Sequence, residues 1–266
     1  MIQEKEVNQF ISYYKEHVDY ENTPPLKDEQ YNSLALCLID AIYSINTKYQ
    51  AVLNVIDRTK KHFSIKEDKE YTINQFLENT LMFSYDQLAD KVFQNRQRTS
   101  TVNGILKAEA VIRSARVLKK HKINLLSDKH EMYKNLELIN DLKQIPGQQS
   151  GISIDYFFML TGKPDLIKMD RHIIQFVDEA LGEVFSIDDK YELLKLAVEK
   201  LKNETNIKDL RCLDFSIWNY MSKRISQTQI INDIKSNNKF DEIKEDVKDL
   251  TKEEKKELIN YLINQL

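Results

Sequence analysis

Apolar residues recur along this chain at intervals of three and four and rarely alternate, a spacing that predicts helices almost throughout. A first amphipathic segment covers 4–18 and is broken by Thr23-Pro24-Pro25. A long apolar helix is predicted from Tyr31 to Ser44 and, after Ile45-Asn46-Thr47, a second one to His62. Thr72 is placed to cap a helix through Phe83, and Ser84 another through Phe93. Gln94 to Asn103 is polar and aperiodic, and Gly104 to His121 is a basic amphipathic helix. Further helices are predicted over Lys134–Gln144, Ser150–Thr161, Asp170–Leu181, Ile187–Asn203 and Ile207–Ser226.

Punctuation is sparse and concentrated. Four of the five glycines (Gly147, Gly151, Gly162, Gly182) and two of the four prolines (Pro146, Pro164) fall in one short window. With helical pattern on both sides, Pro146-Gly147 reads as a tight turn between two helices. The amides opening the second helix would point out of that turn, and such a helix start attracts phosphate. A single carboxylate, Asp170, follows at the mouth of the next helix.

Composition changes this picture little. The chain has 266 residues, 41% hydrophobic and 30% charged, with no apolar run long enough to span a bilayer. Its polar, acidic start does not resemble a signal peptide, so a cytoplasmic protein is expected. Two cysteines, Cys37 and Cys212, cannot by themselves build a disulfide scaffold, a four-thiolate zinc site or an iron–sulfur cluster; no metal site is expected. The net charge of -3 does not advertise nucleic acid. Its distribution says more: Lys91 to Lys122 holds nine lysines and arginines against the single anion Glu109, which reads as an electrostatic footprint for nucleic acid or as a solvated helix face.

Several motifs in this order resemble the helix-hairpin-helix (HhH-GPD) DNA glycosylases. They are Asp141-Leu142-Lys143-Gln144-Ile145-Pro146-Gly147, Gly162-x-Pro164 and Met169-Asp170-x-His172. Upstream, Ile42 to Thr47 is similar to the helix and loop that wedge into duplex DNA in that family. Asn103-Gly104-x-x-Lys107-Ala108 is similar to its basic helix, and Asp214-Phe215-x-x-Trp218 to the late helix that closes its domain.

The resemblance implies an all-α, two-lobed fold with a central DNA- and base-binding cleft. It places an N-terminal helical extension over 1–30 and the glycosylase-like region over 31–226. Within that region one lobe covers about 31–145 and the hairpin 142–161, and a second lobe is completed by the N-terminal and 187–226 helices. A charged tail occupies 236–266, where Thr251 and Glu254 form a capping box ahead of a stripe of Leu258, Ile259, Leu262 and Leu266.

It also implies chemistry. A base inside a duplex is unreachable, so the nucleotide must be flipped out and the gap filled. Asn46 is the expected filler. Lys107, Arg113, Gly147, Gln148, Gln149, Gly151 and His172 are the expected DNA contacts. Tyr43, Phe93 and Trp218 are the expected walls of a base pocket. Asp170 is the expected catalytic residue, stabilising the oxocarbenium-like sugar or activating water. Bifunctional members carry a Schiff-base lysine at the hairpin's end; here Gly151 stands in that place, so hydrolysis to an abasic site is expected rather than strand cleavage. No cofactor is required, although the family's hairpin commonly holds a structural monovalent cation on backbone carbonyls. The expected partner is double-stranded DNA, bound by a monomer without a membrane. The rival readings are a catalytically silent hairpin module that binds DNA, a glycosylase for hypermodified phage bases, and an interaction protein working through its C-terminal helix.

Overall fold

A computed structural model describes residues 2–23, 26, 28–182, 184–236, 247–248 and 250–264. Thirteen α-helices and no β-strand occur among the described residues. Pro24 and Pro25, and the Ile259, Leu262 and Leu266 side chains of the expected tail stripe, lie outside what is described. No described helix is long and apolar enough to cross a membrane.

The helices are α1 (Glu4–His17), α2 (Leu34–Tyr43), α3 (Tyr49–His62), α4 (Ile73–Thr80), α5 (Tyr85–Gln87), α6 (Lys107–Lys120) and α7 (Lys129–Lys134). They continue with α8 (Leu136–Lys143), α9 (Ile152–Leu160), α10 (Arg171–Leu181), α11 (Ile187–Leu201), α12 (Leu210–Ser236) and α13 (Lys252–Asn264). Most begin where a capping side chain sits. Ser33, Thr72, Asn135, Asp170 and Ser186 each accept a backbone N–H from the first turn that follows them.

Three boundaries differ from the periodicity. The segment expected as one helix from Ser84 is the single turn α5 followed by a π-helical turn, Leu88–Val92, in which the Phe93 N–H reaches back to Leu88 O. The basic helix begins at Lys107, not Gly104. Gly104 lies so close to Ser100 that a Cβ would sit 2.3 Å from its carbonyl oxygen, which holds the chain in a loop closed by the Arg98–Leu106 bridge. The segment before the hairpin is divided, because Asn135 ends α7 and caps α8.

Burial gathers into two hydrophobic clusters. One is built on α2, whose ten residues are all buried, with α3, α4, α6, α8 and α9 around it. The other joins α10, α11 and α12 to α1 through Phe10, Tyr14, Phe176, Leu194, Leu213 and Ile217. The N-terminal helix is therefore part of a core, not an appendage. The clusters meet along the 161–170 connection. There Gln30 N–H bonds Leu160 O, Arg211 N–H bonds Pro164 O, and Lys168 N–H bonds the Asp214 carboxylate.

Candidate functional site

The turn between α8 and α9 has the backbone that its glycines suggest. Gly147 and Gly151 take φ of 92° and 83°, a left-handed region costly for other residues. Gly147 also has no room for a side chain, since a Cβ would lie 2.3 Å from that of buried Thr99. The turn is thereby seated on the irregular 94–103 segment. Gln148 departs from its expected role. It is 2% exposed; its amide donates to Ser114 Oγ on α6 at 2.8 Å, and Ser153 bonds its carbonyl. It fastens the turn to the core and is not presented to phosphate. Gln149 is exposed and accepts the Gly147 N–H on its side-chain oxygen at 2.8 Å. The N–H groups of Gln149 and Ser150 have no acceptor among the described residues and remain as donors for an anion. The space above Gly151 is filled by Lys143, whose Nζ is 3.7 Å from the position of a Cβ there.

The loop joining α2 to α3 also rests on the 94–103 segment, through Thr47 and Gln97. Asn46 is exposed at its tip with φ of 49°. Lys107, expected to reach DNA, is 1% exposed and spends its ammonium on protein oxygens. Arg113 is half-exposed and tied to Glu109 at 2.6 Å. Arg96 pairs with Asp86 and Asp90, and Lys120 with Asp141. Three cations of the basic stretch are thus neutralised locally, while Lys91, Arg98, Arg116, Lys119 and Lys122 are exposed without an ion pair among the described residues. Lys48, after the loop, and Arg171, at the start of α10, are also exposed and unpaired among them. Two expected pocket walls are core instead. Tyr43 and Phe93 are both 0% exposed and pack on each other at 5.2 Å, because α2 has no solvent face.

Asp170 caps α10. Its Oδ1 accepts the N–H of His172 at 2.9 Å and of Ile173 at 3.4 Å. Its other oxygen is 3.9 Å from Lys168 Nζ, and both side chains remain about one-fifth exposed, at 21% and 18%. The Lys168 ammonium lies 4.0 Å above the centre of the Tyr156 ring. Behind it, buried Asp214 accepts the Lys168 N–H at 2.9 Å. Burial, and then the neighbouring Asp170 charge, pushes the Asp214 carboxyl up to about 7. His172 keeps a buried, unpartnered Nδ1, and burial pulls its imidazole toward the neutral form against the pull of Asp170.

The deepest acid is Asp40. It is 0% exposed on α2 and accepts Tyr31 Oη at 2.7 Å, Ser44 Oγ at 3.0 Å and, more weakly, Tyr49 Oη at 3.5 Å. The Tyr156 hydroxyl also faces it, and burial raises this carboxyl too. Tyr49 meets Trp218 edge to face at 5.3 Å, and both rings are half-buried. Trp218 is thus the one expected pocket aromatic that is not fully buried. Tyr49, which packs on it, and Asp40 and Tyr156 beyond Tyr49 were not anticipated as site residues. The clearest signal for Asp40 was available: it is the only charged residue in the apolar run Leu34–Tyr43.

This chain belongs to a family described as a domain of unknown function (DUF8548), which matches residues 9–222. No curated protein and no solved structure matches it.

Proposed function

We propose that this chain is a monofunctional DNA N-glycosylase, which flips out a damaged or modified base and hydrolyses its glycosidic bond. The observation that carries the proposal is Asp170. Its Oδ1 caps the start of α10 through two backbone N–H groups, and its side chain stays about one-fifth exposed beside Lys168. In this reading the free amides of Gln149 and Ser150 take a phosphate, with Arg171 and Lys48 supplying charge around them. Asn46 fills the gap left in the duplex, and the extruded base stacks against Tyr49 and Trp218. As the bond breaks, positive charge develops on the sugar, and the Asp170 carboxylate offsets it while water completes the displacement. Lys168 steadies that carboxylate from the other side and is itself held by Tyr156 and Asp214.

Glycine at 151 offers no amine at the Schiff-base position of the resembled family, so the expected product is an abasic site. The test is a panel of duplexes, each carrying one alkylated, oxidised, deaminated or mismatched base, incubated with the full chain. The proposal expects at least one to break at the lesion after alkali and not before it. A panel left intact by protein that binds the same duplexes would favour a silent DNA-binding module instead.

A further inference from the structure

Lys107 has an environment that a core lysine does not need. Its Nζ donates to Ile45 O at 2.6 Å, Thr47 Oγ1 at 2.6 Å, Tyr43 O at 3.0 Å and Gln97 Oε1 at 3.0 Å. Every acceptor is neutral, and no carboxylate lies within ion-pair distance among the described residues. Three of the four oxygens belong to the end of α2 and the loop after it. The ammonium thus occupies an oxygen cage much as a bound cation would, but on a tether from α6. Thr47 Oγ1 closes the cage further, bonding Ile45 O at 3.0 Å and Gln97 Oε1 at 2.9 Å.

Between its two clamped neighbours Asn46 is exposed, in a left-handed conformation that asparagine tolerates better than most side chains. A buried ammonium is expensive where a methionine would fill the same volume. Lys107 also lies on the buried face of α6 with Val111, Ser114 and Leu118, so packing alone would suit an apolar residue there.

We infer that Lys107 is the positioning residue that holds the 45–47 loop with Asn46 presented for insertion into a duplex. The clamp itself stands on the geometry; its use in opening DNA rests on the glycosylase reading.

Two measurements separate these. The first is amide hydrogen exchange of the free full-length protein, comparing wild type with Lys107→Met and with the double variant Thr47→Ala/Gln97→Leu. The double variant alters only side chains outside the core, so it covers the case in which Lys107→Met fails to fold. The Ser44 and Ile45 amides, bonded to Asp40 O and Ile42 O, should exchange at least tenfold faster in each folded variant while α12 is unchanged. The second is fluorescence of a duplex carrying 2-aminopurine, which brightens when the base unstacks. Wild type should brighten it; the variants should lose most of that signal and keep single-strand affinity within twofold. Wild-type exchange rates in both variants overturn the clamp. Faster exchange with undiminished brightening overturns its role in insertion. Faster exchange with no brightening by wild type leaves the clamp standing and defeats the DNA-opening reading.

Discussion

Replacing Asp170 with Asn should remove excision and leave the protein folded and bound to DNA. The amide keeps one oxygen in place of Oδ1, so the N–H groups of His172 and Ile173 retain an acceptor. The helix cap then costs at most about 1 kcal/mol of stability. What disappears is the charge. Lys168 shows how near a cation approaches this carboxylate, 3.9 Å. A developing positive charge at that range, in the effective dielectric of a partly open site, gains about 4 kcal/mol from the carboxylate. Its loss should slow the chemical step on the order of a thousandfold. Because the interaction strengthens only as the bond breaks, turnover should fall and affinity should not. The assay is single-turnover excision on the duplex that wild type cleaves best, with binding measured by anisotropy at the same salt. Excision by Asp170→Asn within tenfold of wild type would refute the electrostatic argument, and equal losses in binding and rate would make Asp170 a structural cap alone.

Other outcomes follow from the same geometry. The Tyr43 hydroxyl is buried with no hydrogen-bond partner, so Tyr43→Phe should unfold at no lower denaturant concentration and gain up to about 1 kcal/mol; a clear loss of stability would expose an unseen partner. The Asp214 carboxyl is raised to about 7 from 3.8, so between those values the folded state holds a proton that the unfolded chain lacks. Its contribution is full below the lower value and is lost as pH rises through the higher. Asp214→Asn should therefore remove up to about 1.4 kcal/mol per pH unit of the decline in stability on going from pH 5 to 7, read from denaturant titrations; identical pH profiles would contradict this. Arg171→Ala and Lys48→Ala should each flatten the plot of log affinity against log salt by roughly one unit. The loss of caged Lys107 should leave that slope unchanged, and the reverse pattern would mean the phosphate track runs elsewhere.

Most helices were legible because they carry one apolar face or, in α2, a wholly apolar run, and most start at a capping side chain, as at Ser33, Thr72 and Asp170. The Pro-Gly turn was legible for a similar local reason, since only glycine suits the φ of 92° at Gly147. What failed was side-chain direction. Lys107 was read as a DNA contact because lysine is usually solvated, although it falls on the same stripe as Val111 and Leu118. Gln148 sits in a turn with no period, so nothing local distinguished a residue locked to Ser114 from one facing outward. Tyr43 and Phe93 looked like pocket aromatics, but α2 is buried on every side and encloses both. Asp40, Tyr156, Lys168 and Asp214 come from separate elements of the chain, and only packing brings them together.

The proposal that this protein excises a base is tested most directly without choosing a lesion in advance. Genomic DNA damaged separately by an alkylating agent and by an oxidant is incubated with the full chain. Free bases released into the filtrate are then identified by mass spectrometry. The account predicts that wild type releases at least one modified base well above the spontaneous rate, leaving abasic sites in matching amount, and that Asp170→Asn releases none above background. Wild type that binds the damaged DNA and releases no base would contradict it.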